Sequence, residues 1–85
     1  MPSQTVTVGS SIGLHARPAA VIAQAATEAG VPVTLATDGG QPVDAGSALL
    51  IMTLGAKCGD RVVVTSDDEA TLTRIAALVE QDLDA

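Results

Sequence analysis

The chain has 85 residues, a formal net charge of −6 and no aromatic side chain. A length of this order fits one domain, here taken as residues 1–85, whose core has only Val, Ile, Leu, Ala and Met to draw on. Its basic residues are Arg17, Lys57, Arg61 and Arg74, which argues against a nucleic-acid face and against docking to an anionic membrane.

Residues 1–5 have neither the basic nor the apolar region of a secretory leader. No apolar run approaches membrane-spanning length, so no membrane insertion is expected. Cys58 is the lone cysteine, so no intrachain disulfide forms. One histidine and one cysteine far apart offer no recurring ligand spacing, and no metal or cofactor is expected. A hydrolase triad is equally unsupported, because no nucleophile elbow is present. Together these features fit a cytoplasmic protein.

In chain order, residues 5–8 alternate polar and apolar and predict a half-buried strand. Residues 9–13 hold two glycines and two serines and read as a loop. Strong helix formers predict a helix over 17–29, with Gly30 ending it in the left-handed conformation. Residues 31–36 read as a second strand with Val31, Val33 and Leu35 on one face and Pro32 near its start. Residues 37–40 are a turn, and 41–44 a short strand whose proline suits a sheet edge. Ser47 can cap a short helix reaching Met52 or Leu54, with Gly55 ending it. Helical spacing turns Ala48, Ile51 and Leu54 to the core and Leu49 and Met52 to another face. Residues 56–60 form a loop and 61–65 a β-branched strand. Ser66 and Glu69 match a capping box for a last helix with core positions Leu72, Ile75, Ala76, Val79 and Leu83. The order is βαββαβα, which favours an α+β fold with its sheet covered on one face.

The chemistry concentrates in Gly13-Leu14-His15-Ala16-Arg17-Pro18. His15 is the only histidine and stands just before a helix start. Pro18 suits the first turn, where its missing N–H would have no intrahelical partner. The free N–H groups near Ala16 and Arg17 carry partial positive charge. Arg17 adds a guanidinium fork that suits phosphate. A nucleophilic imidazole beside such a helix end is a plausible phosphoryl acceptor.

These six residues resemble the active-site motif of HPr, the histidine-containing phosphocarrier family of the bacterial phosphoenolpyruvate:sugar phosphotransferase system. Ser47, followed by the apolar run 49–55, is similar to that family's regulatory serine region. The resemblance implies an open-faced β-sandwich, with a four-stranded antiparallel sheet and three helices on one face. It implies a stoichiometric phosphocarrier rather than an enzyme. His15 would accept phosphate at Nδ1 from the phosphohistidine of enzyme I and pass it to a IIA component of a sugar permease. Arg17 and the Ala16 N–H would stabilise the group, and Pro18 would start the helix. Leu14, Ala20, Leu49 and Met52 are the expected docking patch for these partners, with the carrier itself a monomer. Ser47 would be the site of an HPr kinase/phosphorylase. A regulatory module working through Ser47, or a nitrogen-related phosphotransferase carrier, would share much of the pattern. Three departures from the family stand out. Gly46 occupies a place where many members carry a basic residue, Ala48 is smaller than the usual bulky apolar residue, and the lysines that often surround the site are missing. Encounter with enzyme I is therefore expected to be weakly steered by charge.

Overall fold

The structure, a computed structural model, describes residues 2–11 and 13–81. Its elements are β1 (Ser3–Thr7), α1 (Ala16–Ala29), β2 (Val33–Thr37), β3 (Val43–Asp44), α2 (Ala48–Thr53), β4 (Arg61–Ser66) and α3 (Glu69–Glu80). The four strands form one antiparallel sheet in the order β1-β4-β2-β3.

β4 lies inside the sheet because its valines pair well on both sides. Val62 and Val64 are fully buried, and with Ser66 they point toward the helices. Val6 of β1 pairs with Val62, and Leu35 of β2 pairs with Val64, so the inward residues stand in register. The opposite face is polar and small. Thr65 sits between Ser3 and Thr34, and Val63 between Thr5 and Ala36. This alternation is what leaves one face of the sheet uncovered. β2 begins at Val33 rather than Val31, since Pro32 has no N–H for the ladder. Val31 still packs against the core from outside the strand. β3 is a two-residue edge strand preceded by Pro42, which keeps the edge short.

The helices cover the other face. α3 packs on β1 and β4, α1 lies against α2 and α3, and α2 reaches β3. α1 buries mostly small residues around Ile22, whereas α3 inserts Leu72, Ile75, Ala76 and Val79. Small residues on α1 allow close helix approach in a core without aromatic rings. In α2 the expected division holds: Ile51 is buried, Ala48 and Leu54 pack beside it, and Leu49 and Met52 face out.

The start of α3 differs from expectation. Ser66 is the last residue of β4, paired with Val33, and does not cap the helix. Its hydroxyl accepts from the Asp68 N–H at 3.2 Å, and Asp68 takes the N-cap position. The Asp68 carboxylate accepts from the Thr71 hydroxyl instead of bonding a backbone N–H. A strand residue committed to its ladder is not free to adopt the cap, so the helix begins at Glu69, whose charge complements the helix dipole. Leu83 lies outside the described residues.

Truncating the fully buried Ile51 to Ala should destabilise the fold by about 2–5 kcal/mol. Leu49→Ala, at a side chain 69% exposed, should stay within about 0.5 kcal/mol of the parent. Urea unfolding of both variants checks the assignment, and equal losses would contradict the facing of α2.

Candidate functional site

The site is built around a chain reversal at Gly13. Its φ is +89°, a region that glycine occupies without steric cost. A Cβ there would lie 2.5 Å from the Ala56 carbonyl oxygen and 2.8 Å from the Lys57 Cα. The Gly13 N–H donates to the Ser10 carbonyl at 2.9 Å, and the Leu14 N–H donates to the Ala56 carbonyl at 2.9 Å. The His15 N–H donates back to the Gly13 carbonyl at 3.0 Å. Three consecutive N–H groups are thus satisfied before the helix begins.

This geometry separates Leu14 from His15. Leu14 is 4% exposed and belongs to the core. His15 is half-buried and occupies the N-cap of α1 in an extended conformation, with no side-chain bond to the helix N–H groups. Its carbonyl accepts the Ala19 N–H at 2.9 Å, the first bond of the helix. α1 therefore opens with Ala16, one residue earlier than expected, followed by Arg17 and Pro18. Pro18, buried in the core layer, supplies no N–H, so the first turn offers those of Ala16 and Arg17. No acidic residue stands in that turn to offset its partial positive charge. Ala16 and Arg17 are exposed, and the Arg17 guanidinium makes no ion pair or hydrogen bond among the described residues. The half-buried imidazole, two N–H groups and an exposed guanidinium converge in sequence at one helix start. Such an end can hold a tetrahedral anion.

Of the four residues expected to dock, three are exposed and one is buried. Ala20 on α1 is exposed, as are Leu49 and Met52 on α2. Leu14 cannot take part, because the turn at Gly13 sends its side chain inward. Sequence reasoning missed Val21 and Leu50, which are 39% and 40% exposed. Both fall off the helical stripes set by Ile22 and Ile51, a signal already present in the spacing. α1 and α2 are packed neighbours, so these side chains extend the apolar surface of that helix pair.

Ser47 is half-buried and caps α2, accepting the Leu50 N–H at 3.3 Å. The preceding turn is held by the Gly46 N–H donating to the Asp44 carboxylate at 2.9 Å. Cys58 is exposed in the loop before β4. Among the described residues no group of His, Cys, Asp and Glu is arranged to hold a metal, and no helix is long and apolar enough to cross a membrane. A cleft of about 500 Å³ lies at the far end of α1 and is lined by Thr27, Gly30, Pro32, Pro42 and Asp44 among others. It has no part in the histidine site.

Gly13→Ala should cost about 2 kcal/mol or more, since it adds both a strained φ and a backbone clash. Gly39→Ala, with a φ of +76° but open space around it, should cost only about 1 kcal/mol. Thermal unfolding distinguishes them, and equal shifts would contradict the close packing of Gly13 on residues 56–57.

Comparison with known proteins agrees with this geometry. The family described as "PTS HPr component phosphorylation site" matches residues 2–81. A phosphocarrier protein HPr from Streptomyces coelicolor is 47% identical over 87 aligned positions, covering 99% of this chain and 94% of that one. The crystal structure of a phosphocarrier protein HPr from Bacillus anthracis is 32% identical, with a TM-score of 0.84 over 92% of this chain and 95% of that one. HPr from Thermoanaerobacter tengcongensis is 30% identical, with a TM-score of 0.88 over 100% of this chain and 98% of that one. The four-stranded open sheet, the three helices and the match along nearly the whole chain place this protein in the HPr family of phosphocarriers of the phosphotransferase system.

Proposed function

We propose that this protein is a stoichiometric carrier that accepts a phosphoryl group on His15 from the phosphohistidine of enzyme I and passes it to a IIA component of a sugar permease. The observation that carries this reading is the placement of His15 at the N-cap of a helix whose first turn has exposed N–H groups and no acid. In the first transfer the lone pair of an imidazole nitrogen, Nδ1 by the family pattern, attacks phosphorus. The bond from phosphorus to the donor's ring nitrogen breaks, and its electron pair returns to that ring. The Ala16 and Arg17 N–H groups and the Arg17 guanidinium stabilise the phosphoryl oxygens. The second transfer repeats the exchange with His15 as the leaving ring. Each partner does its own chemistry, so the carrier needs no turnover of its own, and it works as a monomer in the cytoplasm, where those partners meet phosphoenolpyruvate.

Docking uses the exposed side chains of Ala20, Val21, Leu49, Leu50 and Met52. Neither α1 nor α2 carries an acid in its first turn, and Arg17 stands in that of α1. Burial of apolar area, more than charge steering, then sets the affinity. Ser47 supports a second, subordinate reading as the site of an HPr kinase/phosphorylase. A phosphoryl group there would replace the proton of the hydroxyl whose Oγ accepts the Leu50 N–H and add charge beside Leu49 and Met52. His15 favours the carrier role over a purely regulatory one.

Intact mass after incubation with phosphoenolpyruvate and enzyme I tests the carrier role. The wild type should gain one acid-labile phosphoryl group, and His15→Ala none. An unmodified wild type beside an active control carrier, or equal labelling of His15→Ala, would contradict it. Transfer onward to sugar-specific rather than nitrogen-related IIA proteins separates the two branches.

A further inference from the structure

The loop that presents His15 is fastened at its near end to the last turn of α3. The Gly9 N–H donates to the Val79 carbonyl at 3.0 Å, and the Ser10 hydroxyl donates to the Gln81 carbonyl at 3.4 Å. Carbonyls in the last turn of a helix have no intrahelical partner, and no basic residue stands in the last turn of α3 to serve them. The loop supplies the donors instead. The approach is close enough to exclude any side chain at Gly9, where a Cβ would fall 1.7 Å from the Glu80 carbonyl oxygen. Ser10 is fully buried, and its own carbonyl takes the Gly13 N–H, which begins the reversal leading to His15. A series of hydrogen bonds therefore links Val79 and Gln81 through Gly9, Ser10 and Gly13 to the N-cap of α1.

We propose that Gly9 and Ser10 are positioning residues for phosphoryl transfer, tying the His15 loop to the end of α3 so that the imidazole is held at the helix start. The inference rests on the carrier reading above. Neither residue touches the phosphoryl group, and both act through the loop. Of the docking side chains, Leu49, Leu50 and Met52 stand on α2 and Ala20 and Val21 on α1, none of them in the loop that Gly9 and Ser10 fasten, so imidazole placement is read in kcat and partner binding in KM.

The test measures initial rates of phosphorylation by enzyme I and phosphoenolpyruvate against carrier concentration, for wild type, Gly9→Ala and Ser10→Ala. A displacement of about 1 Å at a reacting group lowers rate by up to about a hundredfold. Gly9→Ala should reduce kcat by about ten- to a hundredfold and Ser10→Ala by severalfold, with KM for the carrier within about twofold of wild type. A variant that is merely part-unfolded behaves differently, since it lowers the concentration of competent carrier and raises apparent KM at unchanged kcat. Ser10→Ala adds no atom to the core and carries the test alone if Gly9→Ala does not fold. Wild-type kcat in folded variants would overturn the positioning role. Failure of the wild type to accept phosphate would instead count against the carrier reading itself.

Discussion

The reversal at Gly13 is the constraint on which the rest of the site depends. The backbone passes so close to residues 56–57 that no side chain fits, and it does so at a φ open to glycine. That one turn buries Leu14, satisfies the N–H groups of Gly13, Leu14 and His15, and delivers His15 to the first position outside α1. Pro18 then shapes the helix start from within by removing a donor that would otherwise point at the site. The imidazole is half-buried while its neighbours Ala16 and Arg17 stay exposed. The turn at Gly13 is held by three backbone hydrogen bonds and stands beside an exposed helix start.

The sheet contributes by being covered on one side. With α1, α2 and α3 on the inner face, the starts of α1 and α2 are available to form an exposed apolar surface without opening the core. Ile22, Ile51 and Ile75 are fully buried beneath it and anchor the three helices to the same core. The surface therefore rests on a packed foundation and carries few charges of its own. In a chain of net charge −6, no acid stands in the first turn of α1 or of α2.

Much of this was legible in the residues. Alternation gave the strands, helical spacing gave the inward face of α2, and Gly30 ends α1 in the left-handed conformation as its position suggested. The misses have physical causes. Leu14 looked available because it adjoins His15 in sequence, but a left-handed glycine redirects the next side chain, and sequence does not display φ. Ser66 matched a capping box by spacing, yet its pairing with Val33 is a long-range contact that local pattern cannot register. Gly9 and Ser10 read as ordinary loop residues because their partners, Val79 and Gln81, are some seventy positions away.

If the start of α1 holds the phosphoryl group, its own amides register the transfer. The most direct measurement compares ¹H–¹⁵N spectra before and after phosphorylation by enzyme I and phosphoenolpyruvate. The amides of Ala16 and Arg17 should move most, since they become donors to phosphoryl oxygens, while that of Ile75 in the core of α3 stays in place. Unmoved amides at Ala16 and Arg17, with the main changes around Ser47 or elsewhere, would contradict that placement.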